Sequence, residues 1–394
     1  MEGFACKGFR AAGIAAGLKK NGQPDLGLIY SETAAAAAAV FTRNVVQAAP
    51  VLLDRQRIRS GLCRAIVVNS GNANCCNGED GLRNAKAMSA VVARQLDIPE
   101  DQVLVASTGV IGQPLPIDRI VDAAPRLVAD LAVDGFQRLA SAIMTTDTEP
   151  KYIHRQGLIG NRRFNIVAVA KGAGMIRPDM ATMLCFAATD ATVDAARLDR
   201  MLRRAVDRSF NRITVDGDTS TNDTVVLLAN GSGKAVVENE ADQAAFQKVL
   251  DGIFLDLAKW LVRDGEGASK LVEVRVQGAP TDRDARRVAD TVAESPLVKT
   301  ALFGEDANWG RILGAAGRAG VPFDPAQVAV YFDQVQMVAG GVGCGAEAEA
   351  AATSVLKQPE LQITIDLNSG VGKASVLTCD FSIEYVRINA DYRS

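Results

Sequence analysis

Thr182 is the residue whose type and setting suit chemistry best. It lies in KGAGMIRPDMATML (171–184), rich in glycine and small residues, where the chain turns abruptly apolar. A threonine hydroxyl is a weak nucleophile until a base takes its proton, and a threonine at a chain N-terminus carries that base as its own α-amine. The α-amine has a pKa of about 7.7–8.0 in model peptides, so a useful fraction is neutral near neutral pH. Burial lowers it further, because desolvation disfavours the ammonium. An internal threonine gains this amine only if the preceding peptide bond is broken. Ala181 adds little bulk at that bond, and Gly172, Gly174 and Pro178 permit a constrained backbone. Read locally, such a threonine is more often an ordinary strand residue.

The rest of the inventory narrows the chemistry. His154 is the one histidine, so a two-histidine metal site within one chain is excluded, and any Ser-His or Cys-His dyad would have to use it. The seven cysteines are odd in number and form no C-x-x-C pair, which reads as reduced cytoplasmic thiols without a disulfide framework or zinc site. Lys+Arg 43 against Asp+Glu 46 gives a net charge of −3, without the basic stripe of a nucleic-acid protein. No run of 18 apolar residues suggests a membrane span, and Lys19 and Lys20 interrupt the N-terminal apolar stretch before it could make a signal-peptide core. The GSGK fragment ending at Lys234 has Leu228 where a phosphate loop needs its first glycine.

These residues need elements to hold them. With 394 residues, 48% of them hydrophobic, the chain can bury a large core or two domains. Strands are expected at 26–30, 36–41 (where the alanine run suits a helix equally well), 65–69, 103–106, 164–170, 184–188, 224–229 and 270–277, with a strand-rich tail over 328–337, 361–367 and 374–388. Helical spacing marks 79–96, 117–131 with a break at Pro125, 135–144, 194–207, 241–262, 282–293 and 308–317. Gly265 is the expected cap of the long helix at 241–262. Polar loops follow several strands: 69–75, 107–112, 145–148 and 216–223. No linker separates two domains.

Several blocks carry a further message: NSGNANCCNG (69–78), ASTGVIGQPLP (106–116), AIMTTDTEPK (142–151), KGAGMIRPDMATML, ITVDGDTSTNDT (213–224), RDGEGASK (263–270), GEDANWGRILGA (304–315) and INADYRS (388–394). In content and order they resemble the glutamate N-acetyltransferase/ornithine acetyltransferase family of arginine biosynthesis, across essentially the whole chain. The resemblance implies an α/β fold of stacked sheets flanked by helices, β-aminopeptidase-like, built from an α chain (1–181) and a β chain (182–394). The chain would cut itself between Ala181 and Thr182. Acetyl would then pass from N2-acetyl-ornithine to glutamate through an acetyl-Thr182 intermediate.

The same resemblance implies Thr108 and Gly109 as oxyanion donors, and Thr145, Lys171, Thr182, Glu266, Asn389 and Ser394 as substrate-binding residues. Lys171 would pair with a substrate carboxylate and Glu266 with its amino group. Asn389 and Ser394 would donate to carboxylate or amide groups. No cofactor is expected, acetyl-CoA being an alternative donor, and the two chains would assemble as a heterotetramer or larger in the cytoplasm, without nucleic acid or membrane. Arg177 and Asp179 give R-P-D-M where H-P-N-M is common in the family, Cys75 replaces a small residue, and Ser394 keeps the hydroxyl of the usual threonine. A β-aminopeptidase-type hydrolase, which hands its acyl group to water, uses the same kind of nucleophile and is the first alternative. A non-enzymatic binding protein with an intact chain is the second.

Overall fold

The computed structural model describes residues 6–177 and 183–391. The chain forms two compact units: one comprises Met1–Asn211 and Asp218–Ala258, the other Arg212–Gly217 and Lys259–Ser394.

The first unit is built on an eight-stranded sheet: β1 (Phe9–Ile14), β2 (Leu26–Phe41), β3 (Leu62–Asn72), β4 (Val103–Val110), β5 (Lys151–Ile159), β6 (Arg162–Lys171), β7 (Leu184–Thr189) and β8 (Thr224–Ala229). The order is β4-β3-β2-β8-β7-β6-β5, with β1 on β2. The pairs β3/β4 and β7/β8 are parallel and the others antiparallel. Helices α1 (Ala49–Arg57), α2 (Gly78–Leu96), α3 (Ile117–Ala129), α4 (Phe136–Ala142) and α5 (Ala195–Arg208) belong to this unit, as does most of α6 (Glu240–Arg263). Both faces of the sheet are buried. Val67, Val103 and Val105 join Met88, Val92, Ile120 and Leu127 of α2 and α3 in one core. Their neighbours Ile66, Val68 and Leu104 point the other way, into a core with Phe136 and Leu139 of α4. That is why these strands read as unbroken apolar runs.

The alanine run is strand, not helix. Residues 26–41 form one strand whose alanines pair with β8, Ala36 opposite Ala229 and Ala39 opposite Val226. Tertiary pairing overrides the intrinsic preference of alanine. Pro125 stands inside α3.

The second unit holds a six-stranded sheet of β9 (Leu271–Ala279), β10 (Ala329–Phe332), β11 (Val335–Ala339), β12 (Val342–Gly343), β13 (Glu360–Asp366) and β14 (Gly372–Cys379), ordered β12-β11-β10-β13-β9-β14. Its helices are α7 (Asp282–Ala293), α8 (Pro296–Phe303), α9 (Trp309–Gly317), α10 (Ala346–Leu356) and α11 (Ile383–Ala390). Val272, Val274 and Val276 of β9 pack into a core with Val288 and Val292 of α7, while Arg275 and Gln277 face water, the period-two pattern of a half-buried strand. The stretch 328–337, expected to be strand-rich, is a hairpin turning at Asp333 (φ 50°), whereas the strand-rich stretch expected at 374–388 is strand only to Cys379, after which α11 begins. The protein is thus mixed α/β, with two sheets flanked by helices.

Candidate active site

The strand β4 continues through Thr108 and Gly109, where a loop was expected, because β3 continues beside it. Gly109 lies opposite Gly71, and Asn72 pairs with both Thr108 and Val110, so the ladder bulges there. Gly109 has φ 132°, and a Cβ on it would stand 2.4 Å from the Gly71 carbonyl carbon. Only glycine fits. The bulge is braced by buried amides: Asn222 Nδ2 donates to the Ala73 carbonyl at 2.7 Å and to the Ser107 carbonyl at 2.8 Å. Ser107 Oγ donates to Asn69 Oδ1 at 2.6 Å, and Asn69 Nδ2 to the Asn72 carbonyl at 2.9 Å. Three separate sequence blocks thereby knit into one network.

Lys171 ends β6 and is buried. Its Nζ donates to Thr145 Oγ1 at 2.7 Å and to Thr108 Oγ1 at 3.3 Å, and lies 3.9 Å from Asp147 Oδ2. An ammonium only donates, so each threonine oxygen accepts and keeps its own O–H to offer elsewhere. This is a physical basis for Thr108 as an oxyanion donor. Asp147 holds the cluster together. Its Oδ1 accepts from Lys151 Nζ and from Gly172 N–H, each at 2.7 Å, and its Oδ2 accepts from Thr145 N–H at 3.0 Å. Burial pushes its pKa up, but the charges of Lys171 and Lys151 and these hydrogen bonds outweigh it and bring the pKa down to about 2. Asp147 and Lys151 were not among the residues expected from the sequence. The pattern T-T-D-T followed by a lysine four residues after the aspartate is the trace they leave.

The register ties this cluster to the start of β7. Lys171 pairs with Leu184, two residues after Thr182. Met183 N–H donates to Asp223 Oδ1 at 3.1 Å, and the Met183 carbonyl accepts from Thr224 N–H at 3.1 Å. Ala181, Thr182, Asp179 and Ser394 lie outside the described residues. His154 belongs to another network: it is half-buried in β5, with Nε2 3.2 Å from Asn165 Oδ1. Among the described residues no cluster of three histidine, cysteine or carboxylate side chains is placed to hold a metal, and no helix is long and apolar enough to cross a membrane.

In the second unit, Glu266 and Asn389 meet. Asn389 Nδ2 donates to Glu266 Oε2 at 2.8 Å and to the Tyr385 carbonyl at 3.0 Å. Both amide hydrogens are thus engaged within the protein. Its Oδ1, an acceptor, is the atom left for a ligand. The loop carrying Glu266 is fixed by Asp380, which accepts from Ser269 N–H at 2.8 Å, Ser269 Oγ at 2.6 Å and Lys270 N–H at 2.9 Å. Ser382 Oγ, the N-cap of α11, donates to the Gly267 carbonyl at 2.6 Å. Gly267, not Gly265, is the left-handed glycine here (φ 68°), and a Cβ on it would meet Ser382 Oγ and Tyr385 N at 2.6 Å.

Comparison with known proteins finds relatives along nearly the whole chain. The family model described as the ArgJ family matches residues 10–394. "Arginine biosynthesis bifunctional protein ArgJ" of Geobacter sulfurreducens is 53% identical over 390 residues, covering 98% of this chain and 99% of the relative. The protein of the same name from Syntrophotalea carbinolica is 52% identical over 389 residues, again covering 98% and 99%. The solved structure of an ArgJ from Bacillus halodurans is 40% identical across 51% of this chain and 95% of its own, with a TM-score of 0.48. With a whole-length family match and relatives above half identity, the chain belongs to the ArgJ family.

Proposed function

We propose that this protein is an acyltransferase of arginine biosynthesis, moving an acetyl group from N2-acetyl-L-ornithine to L-glutamate by way of an ester on Thr182. The chain first cuts itself between Ala181 and Thr182, giving segments 1–181 and 182–394. The freed α-amine of Thr182 takes its hydroxyl proton, and Oγ attacks the acetyl carbonyl. Thr108 O–H and Gly109 N–H receive the developing oxyanion. The C–N bond breaks as the amine returns its proton to the leaving ornithine nitrogen, and acetyl remains on Oγ. The amine of glutamate then attacks this ester, and the same donors receive the second oxyanion.

The observation that carries this reading is the Lys171 contact with Thr108 and Thr145, on a strand whose register partner Leu184 follows Thr182 by two residues. The reading is supported by two hydroxyls and a cation meeting on the strand that pairs with the start of β7. Lys171 binds a substrate carboxylate as a point charge. Glu266, steadied by Asn389, takes the substrate's amino group, and the Ser394 hydroxyl completes the substrate contacts. Acetyl-CoA serves as a second donor to the same threonine, in keeping with the word bifunctional in the relatives' names. The segments assemble as a heterotetramer or larger, in the cytoplasm.

Intact mass spectrometry after incubation with N2-acetyl-ornithine tests the whole sequence. An acetyl adduct confined to a fragment beginning Thr-Met-Leu-Cys, and removed by glutamate faster than by water, is the expected result. Active protein still joined between residues 181 and 182 overturns it.

A further inference from the structure

The two substrates of the proposed transfer differ in charge. N2-acetyl-ornithine brings a carboxylate and a side-chain ammonium. Glutamate brings a second carboxylate in place of that ammonium. A site that serves both in turn must receive opposite charges. Glu266, the proposed partner of the ammonium, would repel a carboxylate. Lys171 is the proposed partner of the carboxylate that both substrates share, so the extra carboxylate of glutamate needs another cation.

Lys19 is placed to supply it. It lies in the loop between β1 and β2, and the buried carboxylate of Asp25 shapes that loop. Asp25 accepts from Ala16 N–H at 2.6 Å, from Leu18 N–H at 2.5 Å and from Lys19 N–H at 2.9 Å. The Asp25 carbonyl accepts from Ser70 N–H at 2.9 Å, which fastens the loop to β3 beside Gly71. The stem of Lys19 then packs on Gly71, where a Cβ would stand 3.2 Å from Lys19 Cγ. Gly71 has φ 91° and is the register partner of Gly109. Lys19 therefore flanks the bulge whose neighbouring hydroxyl, Thr108 Oγ1, accepts from Lys171 Nζ. Unlike Lys171, which is buried, Lys19 is half-exposed. Among the described residues its Nζ donates to the Pro24 carbonyl at 2.8 Å, and an ammonium carries further N–H groups to offer. Burial pushes the Lys19 pKa down, and the Lys171 charge adds to that push, while the charges of Asp25 and Asp147 oppose it. A carboxylate arriving beside Lys19 would relieve the repulsion between the two lysines.

We propose that Lys19, seated on Gly71 beside the Gly109 bulge, is a specificity residue for the acceptor, its ammonium taking the side-chain carboxylate of glutamate. The inference rests on the reading of this protein as an acetyltransferase that uses glutamate. Lys19 then acts in one half of the reaction. It has a partner when glutamate is bound, and none in the donor, whose side chain ends in a cation. Removing its charge weakens the acceptor step and spares the donor step. A lysine that merely supported the bulge would affect both halves alike, because both use the same oxyanion donors.

The test follows the two halves separately by mass spectrometry. Protein acetylated by N2-acetyl-ornithine is mixed with glutamate, or with glutamine, which has the same shape without the second charge, and loss of the acetyl adduct is timed. The wild type is expected to prefer glutamate. Lys19→Met is expected to lose on the order of tenfold of that preference, the scale of one hydrogen bond to a charged group, through a higher half-saturating glutamate concentration. Its acetylation by N2-acetyl-ornithine should stay close to the wild-type rate. An unchanged glutamate-to-glutamine ratio in folded Lys19→Met, or an equal loss in both halves, overturns the proposal. Should that variant not fold, reductive methylation of the wild type decides. Glutamate should shield Lys19 from labelling where ornithine does not, and equal labelling under both overturns the proposal. A wild type that never forms an acetyl adduct would remove the reading beneath it, a result distinct from these.

Discussion

Lys171 illustrates how one side chain can serve two purposes. It is the cation proposed to meet a substrate carboxylate, and its ammonium also fixes which way the Thr108 hydroxyl can point. Thr108→Val removes that donor without changing shape, and acetylation of Thr182 should slow by about 10²–10³-fold while thermal stability holds; stopped-time mass spectrometry of the acetyl-enzyme measures it. Asp147 acts more on stability. Its folded pKa of about 2 lies below the unfolded value near 4, so the stabilisation is complete above about pH 4 and is lost as pH falls toward 2. Asp147→Asn leaves Lys151 and Lys171 buried beside a neutral amide, and should cost about 3–5 kcal/mol in urea denaturation at pH 7.

At the level of elements, the bulge at Gly109 and the docking of α11 on the Glu266 loop are what place the polar groups. Gly109→Ala forces a methyl against the Gly71 carbonyl, and should lower kcat more than it raises KM for acetyl-ornithine in steady-state assays. Asn389→Ala frees Glu266 from its amide partner and should chiefly raise KM. Much of this was legible beforehand. The runs at 65–69 and 103–106 could only be buried strands, and 282–293 declared itself a helix by its spacing. What escaped did so for physical reasons. The alanine run, read as strand or helix alike, is settled as a strand only by its pairing with β8. The stretch after Cys379 mixes apolar and polar residues at a period that suits either state, until Ser382 caps it as a helix. Asp147 looked like one more loop aspartate, because nothing local reveals that Lys151 and Lys171 converge on it. Thr108, Thr145, Lys171, Glu266 and Asn389 were named in advance by resemblance, and the first three do meet.

For the molecule as a whole, the strand order bears most directly on self-cutting. β7 and β8 come after the proposed cut, yet in the sheet they lie between β2 and β6, which come before it. Breaking the 181–182 bond therefore separates nothing: the later strands remain laddered to earlier strands on both sides. The two fragments should elute together in native size-exclusion chromatography and part only in denaturant, and elution of a lone 182–394 fragment in buffer would contradict this. Such a sheet also imposes a sequence of events in the cell. The wedge of two strands has to be seated while the polypeptide is still continuous, since halves translated apart would each present raw edges on either side of a gap that only the other can fill. A backbone severed at 181–182 would thus be the scar of a finished assembly, and a gene split at this codon would be expected to yield insoluble halves where the unbroken gene yields enzyme.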